Sequence, residues 1–401
     1  MTMTTVQMRA KTATSSVARI RNVLIIKGAY EPHGGTESVL SGFLDLLDPT
    51  RYRPHLVMLS KPNAPQVPPL AKDPSKVRQR TISWGRLRTL DAIRELTEVA
   101  DAEQIDIIHS HDSRSTVAAW LLAKRRPVVW VAHMHGFLGR TGVLKNQFVE
   151  AIAKRLQRRA DLVIGGSEHT CSEVRGLGMK KLRVLPNGIR IPDIASLQHE
   201  RRCLREAYGI ADDTVWIGVT SRLHPGKGHR YLFPAVSELA RRGLPVRLLV
   251  IGDGDHGPVL MEQVRNLGLE HFVQFTGRVP EVLPYLTALD VFCLPSLKES
   301  LSIAVLEAMA AGLPVVTTRV GDFEQLIAQG ENGFLVPPEE TSPLTDALAA
   351  LVASSALRTR LGVAGRCTVQ ERYSLETMVR TLEHYYDEAF AANTPKTRAG
   401  R

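Results

Sequence analysis

Cysteine is scarce and scattered. The four, Cys171, Cys203, Cys293 and Cys367, form no Cys-x-x-Cys pair, which leaves neither a disulfide framework nor a cysteine zinc site and fits a reducing cytosol. Long apolar runs are missing as well, since nothing approaches the roughly 18 residues that span a bilayer. The run Val23 to Ile26 stops at Lys27, short of the roughly 7 to 15 residues of a signal-peptide core, and reads as a buried strand. Aromatic residues are only 5% of the chain, and no aromatic-rich basic segment points to nucleic-acid recognition. Low-complexity tracts and fixed-period repeats are absent too. What is present is ordinary globular composition, 44% hydrophobic and 23% charged, over 401 residues. That length exceeds what one core sustains, so two domains are expected.

Charge is divided unevenly between the halves. Residues 1 to 200 hold 30 Lys/Arg against 18 Asp/Glu, and the rest hold 21 against 23. A basic first half facing an anionic partner, such as a membrane surface, is one reading; a solvated basic surface is the other. Short Val/Ile/Leu-rich runs at 23–26, 55–59, 105–109, 128–132 and 162–164 alternate with longer helical segments, as in a parallel sheet. A second series follows at 215–219, 246–251, 272–275, 291–294 and 314–317. Turn chemistry at Pro186-Asn187-Gly188 and a polar stretch from Ser196 to Glu206, read as linker, put the boundary near residue 190. Helical spacing of Met378, Leu382, Tyr385 and Tyr386 predicts a terminal helix over 371–391. Two doubly wound α/β domains result, and their ligands belong at the loops after the strands.

Those loops carry the chemistry. Gly34-Gly35 before a helix offers bare backbone N–H groups to an anion, or is a plain tight turn. His135, in His133-Met134-His135-Gly136, places an imidazole at a strand's carboxyl end, where it is a cleft residue or a local hydrogen-bonder. Arg222 and Lys227 set two cations around a Pro-Gly turn, an arrangement that suits a diphosphate without a metal. Gly252-Asp253-Gly254-Asp255 matches both a dinucleotide glycine pattern and an Asp-x-Asp metal pattern. The expected acid about 20 residues on is missing, and a structural glycine turn is the preferred reading. In the stretch from Glu299 to Pro314 a helix is expected to begin near Ser302. Glu299 then lies in the loop at its positive end and Glu307 about a turn further in. Backbone donors at Leu301, Ser302 and Ile303 can hold phosphate or sugar oxygens, and two carboxylates suit paired sugar hydroxyls.

Taken in order, Gly34-Gly35, His135-Gly136, Arg222 with Lys227, Gly252-x-Gly254 and Glu299-x7-Glu307 resemble the family 4 retaining glycosyltransferases of GT-B fold. The stretches 106–111, 186–188 and 307–315 agree, and the likeness spans roughly residues 21 to 390. It implies two Rossmann-like domains facing a cleft: 20–190 on the acceptor side and 191–370 for the nucleotide sugar. A crossing helix at 371–391 returns to the first domain, and 1–19 and 392–401 are tails. It further implies Arg222 and Lys227 on the diphosphate, Glu307 on the ribose, Glu299 on the transferred sugar, and base contacts near Gly277-Arg278. His135 and Gly34-Gly35 reach in from the first domain. The implied partners are a nucleoside-diphosphate sugar and a glycan or lipid-linked acceptor, with no resident cofactor, no metal and no nucleic acid. Ser300 departs from the glycine many relatives carry after the first glutamate, which leaves the donor sugar unread. The expected location is cytoplasmic, at the inner membrane face if the basic half binds it. The alternatives are a sugar-nucleotide epimerase or hydrolase of the same fold, and a non-catalytic nucleotide or nucleic-acid binder.

Overall fold

The computed structural model describes residues 19–28, 30, 35–62, 64, 67–85, 89–135 and 144–393. Among the described residues thirteen strands form two sheets. The first contains β1 Arg21–Lys27, β2 Tyr52–Ser60, β3 Arg78–Ser83, β4 Ile107–Ser110, β5 Val129–Met134, β6 Leu162–Gly165 and β7 Leu182–Val184. The second contains β8 Val215–Thr220, β9 Val246–Ile251, β10 Val273–Gly277, β11 Val291–Leu294, β12 Val315–Thr318 and β13 Phe334–Val336. Strand orders are β3-β2-β1-β4-β5-β6-β7 and β10-β9-β8-β11-β12-β13, with every pairing parallel. Each order reverses once, between β1 and β4 and between β8 and β11. A crevice therefore opens at the carboxyl ends of those strands.

The central strands are apolar throughout because helices cover both faces of each sheet. In β1, Val23 and Ile25 enter one core cluster while Leu24 and Ile26 enter another on the opposite face. This is the two-residue period of a strand. Three strands escape the Val/Ile/Leu signature. β3 is Arg-Gln-Arg-Thr-Ile-Ser with only Ile82 buried, an edge strand with little core to contribute, and β7 and β13 have three residues each.

Two other local expectations change. The polar stretch read as linker folds as a helix, Gln198–Ala207, whose Arg201 and Arg205 reach Asp290 at 2.8 and 2.9 Å. Charge pairing on one helix face holds it where apolar residues are too few. The terminal helix starts at Leu375, after a break at Tyr373–Ser374, and runs to Ala392. The break has a cause: Ile189 N donates to Tyr373 O at 2.9 Å and Leu375 N donates to Ile189 O at 2.8 Å. The two chain crossings between sheets thus lie side by side.

Beyond that point the helix packs on the first sheet's domain. Leu375, Met378, Val379, Leu382, Tyr386 and Ala389 join its core with Val23, Ile25 and Phe43. Tyr52 Oη donates to Asp387 at 2.8 Å, Arg21 and Arg51 pair with the same carboxylate, and Tyr385 Oη donates to Val184 O at 2.9 Å. No single helix among the described residues is long and apolar enough to cross a membrane.

Candidate active site

Beyond β8 the chain turns through Ser221–Gly228 and comes to rest on the loop that follows β11. Gly228 has φ of 72°, and a Cβ there would lie 1.7 Å from Pro295 O, so only glycine permits the approach. Leu297 N donates to Gly226 O at 2.8 Å across the same contact. The result brings Lys227 Nζ onto Glu299 Oε1, an oxygen that also accepts from Ser296 Oγ at 2.9 Å. Glu299 is buried, and Arg222 stands exposed on the same loop as Lys227. Two residues given separate tasks by the sequence, diphosphate and sugar, are therefore direct neighbours.

The helix after this loop is Ile303–Ala310 with Ser302 at its N-cap in extended conformation. Ser302 makes no side-chain cap, so its hydroxyl does not compete for the first backbone N–H groups. Glu307 lies on the second turn, and burial pushes its carboxyl up to about 7. Leu301 is buried beneath the loop, while Ile303 packs against the cores of both domains.

Gly252 and Gly254 lie at the end of β9, with φ of 129° and 158°. Added Cβ atoms would fall 2.1 Å from Ser221 O and 2.4 Å from Leu223 O, and Leu223 N donates to Asp253 O at 2.8 Å. These glycines let one loop support another directly under Arg222. Arg278 forks onto the carboxylate of Asp253, with both bonds at 3.2 Å.

In the first domain, Gly35 opens the helix Gly35–Leu46, whereas Gly34 and Gly136 lie outside the described residues. Lys27, ending β1, pairs with Glu37 at 3.1 Å, and both are buried. His135 follows β5, half-buried, with its Nε2 2.8 Å from His111 Nδ1. It belongs to a group of four imidazoles. His109 and His111 lie at the end of β4 and His133 and His135 at the end of β5. The register His109↔Val131 and the period of two put all four on one face. Adjacent ring centroids are 4.1 to 5.4 Å apart. Burial, and then the neighbouring histidines, hold His109, His111 and His135 well below the usual imidazole range; burial alone takes His133 to about 3. The group is neutral at physiological pH.

Sequence reasoning missed three participants. Lys27 and Glu37 are separated by ten residues and meet only because a strand and a helix pack together. Asp322 is the third. Its carboxylate accepts Glu168 N and His169 N of the first domain at 2.7 Å each, while its own N–H donates to Ser300 O at 2.8 Å. The loop carrying Glu299 is thereby fastened to the opposite domain. The two His-x-His repeats at strand ends were a readable signal for the imidazole group; nothing local marks Asp322.

Similarity to other proteins agrees with this arrangement. Residues 33–191 match the family described as Glycosyltransferase Family 4, and residues 214–354 match Glycosyl transferases group 1. N-acetyl-alpha-D-glucosaminyl L-malate synthase of Bacillus anthracis is 27% identical over 73% of this chain and 77% of its own length. The GDP-mannose-dependent alpha-(1-6)-phosphatidylinositol monomannoside mannosyltransferase of Mycolicibacterium smegmatis is 33% identical over 53% of this chain and 58% of its own. Among solved structures, Anabaena HepE in complex with UDP superposes with a TM-score of 0.77 at 20% identity, covering 92% of this chain and all of that one. With two facing parallel sheets, the ordered loop motifs and both family matches together, the chain belongs to glycosyltransferase family 4 and is a glycosyltransferase of GT-B fold.

Proposed function

We propose that this glycosyltransferase moves a hexose-type sugar from a nucleoside-diphosphate sugar to a hydroxyl of a glycan or lipid-linked acceptor, retaining the anomeric configuration and using no metal on the diphosphate. The observation that carries the reading is the meeting of Lys227 with Glu299 at the N-terminal end of the helix Ile303–Ala310. A diphosphate seated at that helix end meets the Lys227 charge, Arg222 and the N–H groups near Leu301, Ser302 and Ile303. Its sugar then lies against Glu299, and Glu307, a turn deeper, takes the ribose hydroxyls. His135 and Gly34-Gly35 contribute from the first domain, and Gly252, Gly254 and Arg278 support the base.

In the reaction the acceptor oxygen bonds to the anomeric carbon as the bond from that carbon to the phosphate oxygen breaks. The departing phosphate oxygen, on the same face of the sugar, takes the acceptor's proton. The chain's contribution is charge stabilisation of the leaving diphosphate by Arg222, Lys227 and the helix end. Relatives support the substrate classes: the mycobacterial enzyme is named for a GDP-mannose donor and a phosphatidylinositol mannoside acceptor, and HepE for a complex with UDP. The basic first half suits an acceptor held at an anionic bilayer, although Arg78 and Arg80, within its basic stretch 72–88, are answered by Glu103 at 2.6 and 3.6 Å. Co-sedimentation that is indifferent to anionic lipid content removes the membrane part of this reading.

The test is a thermal-shift screen of UDP-, GDP- and ADP-sugars, followed by anomeric coupling constants of the transfer product. An inverted product, or full loss of transfer with EDTA and rescue by Mn²⁺, overturns retention or metal-free diphosphate binding respectively. Free sugar or an epimerised donor formed without acceptor identifies the chain as a hydrolase or epimerase instead.

A further inference from the structure

The four imidazoles at the carboxyl ends of β4 and β5 hold more unsatisfied polarity than histidines needed only for packing would carry. Nε2 of His109, Nε2 of His111 and both ring nitrogens of His133 are buried without a hydrogen-bond partner in the protein. An orphaned buried polar group is costly, and native interiors contain few of them. The rings that carry them lie together. One ring nitrogen from each of His109, His111 and His133 lies within 4.8 Å of the other two.

The nitrogens that do have partners are arranged as outer support. His109 Nδ1 is 2.7 Å from Tyr386 Oη, and His111 Nδ1 is 2.8 Å from His135 Nε2. When Nδ1 carries the proton and donates it outward, the partnerless Nε2 of each of these two rings is left with a free lone pair. A metal-ligating histidine is commonly held in this way, by a hydrogen bond from its second nitrogen that fixes tautomer and ring orientation. We propose that His109, His111 and His133 form a site for a single zinc-class transition-metal ion, lying behind His135 and separate from the diphosphate.

The donor set selects the metal. Three neutral imidazoles without a carboxylate suit Zn²⁺, Cu or Ni and not the oxygen-seeking Mg²⁺ or Ca²⁺. Nitrogens about 2.1 Å from a tetrahedral zinc lie roughly 3.4 Å apart, so each pair closes by at most about 1.4 Å. Lys27, the charge nearest to His111 and His135, is itself paired with Glu37, so an entering cation does not meet an isolated like charge. Occupancy has a consequence for the loop above. A metal on His111 Nε2 leaves the His111 proton on Nδ1, where it is donated to His135 Nε2, and the proton of His135 then sits on its own Nδ1. The ion would act as a positioning element for His135 and would join β4, β5 and, through Tyr386, the terminal helix.

The proposal stands on the imidazole group alone, and its test reads metal rather than transfer. Calorimetric titration of the full chain, prepared without a histidine tag, with ZnCl₂ should give one zinc per chain. X-ray absorption of the zinc-loaded wild type should count three imidazole ligands. Tyr386→Phe, which keeps the ring and removes the supporting hydroxyl, should weaken zinc binding about 10- to 100-fold, and His133→Phe should weaken it at least as much. Absence of stoichiometric zinc binding by the wild type overturns the site. So does a spectrum with fewer than three imidazoles, or affinity unchanged in both variants while their circular dichroism matches the wild type. If His133→Phe does not fold, the ligand count on the wild type and the Tyr386→Phe titration decide the matter.

Discussion

The two sheets are wound alike, yet the carboxyl ends of their strands are chemically opposite. In the second sheet the loops carry full charges: Arg222 and Lys227 follow β8, with Lys227 set against Glu299 of the loop after β11, and Arg278 after β10 is set against Asp253 after β9. After β4 and β5 the side chains are imidazoles that burial has stripped of charge. A diphosphate must be met by charges that stay on at every pH, which arginine and lysine supply. On the proposed reading an acceptor hydroxyl needs orientation, which His135, a neutral ring that both donates and accepts, would give without competing for the diphosphate. One architecture thus separates a half-site built on fixed charge from one built on neutral imidazoles beside the Lys27–Glu37 pair.

Substitutions can break this contrast. The largest effect is expected at Lys227→Ala, where kcat/KM should fall roughly 10²- to 10³-fold, the scale of losing one donor to a developing anion. A fall below tenfold in steady-state assays would move the diphosphate elsewhere. Glu299→Ala should follow, at roughly 10- to 150-fold in turnover with diphosphate affinity preserved, since it removes one charged hydrogen bond of about 1.5 to 3 kcal/mol. Glu307→Ala should instead weaken the nucleotide in calorimetry. Reversal of the two outcomes would exchange their assignments.

A smaller effect comes from pH. The Glu307 carboxyl, raised to about 7, is protonated below that value, and ribose hydroxyls that donate to a carboxylate lose their acceptor. Nucleotide affinity should therefore fall as pH drops below about 7, approaching tenfold per unit, and Glu307→Gln should flatten the curve. Stability has its own sign. Because the folded value lies above the ordinary 4.5, the folded chain holds this proton more tightly. The stabilisation is full below about 4.5 and is lost as pH rises through about 7. Smallest of all should be His135→Gln, which exchanges one neutral hydrogen-bonding group for another and should cost roughly 2- to 12-fold. A loss beyond 100-fold would show that the neutral half-site does more than orient.

The sequence made the donor side legible because its signals are local. Lys227 stands in a Pro-Gly turn, Ser302 precedes a helix-forming run, Glu299 stands just ahead of that run and Glu307 is placed by its helical repeat. Strand runs such as Val246 to Ile251 were equally plain, since sheets covered on both faces demand continuous apolar stretches. What stayed hidden depends on contacts between distant segments. β3 is too polar to signal a strand, and the helix Gln198–Ala207 is held by Asp290, more than 80 residues away. Asp322 acts only because two domains meet. The histidine repeats were visible one at a time, but their grouping follows from β4 and β5 being neighbours in the sheet.

The terminal helix gives the protein an unusual dependence on the order of its own synthesis. Leu375, Met378, Leu382 and Tyr386 are translated long after β1, yet they complete the core around it. A nascent chain that has reached about residue 190 therefore has one face of its first sheet only partly covered, by the helix Gly35–Leu46. The rest of that apolar face stays open until the second domain has emerged and the helix has crossed back. Premature termination just before Leu375 would spare the whole second sheet while opening the domain at the other end of the chain.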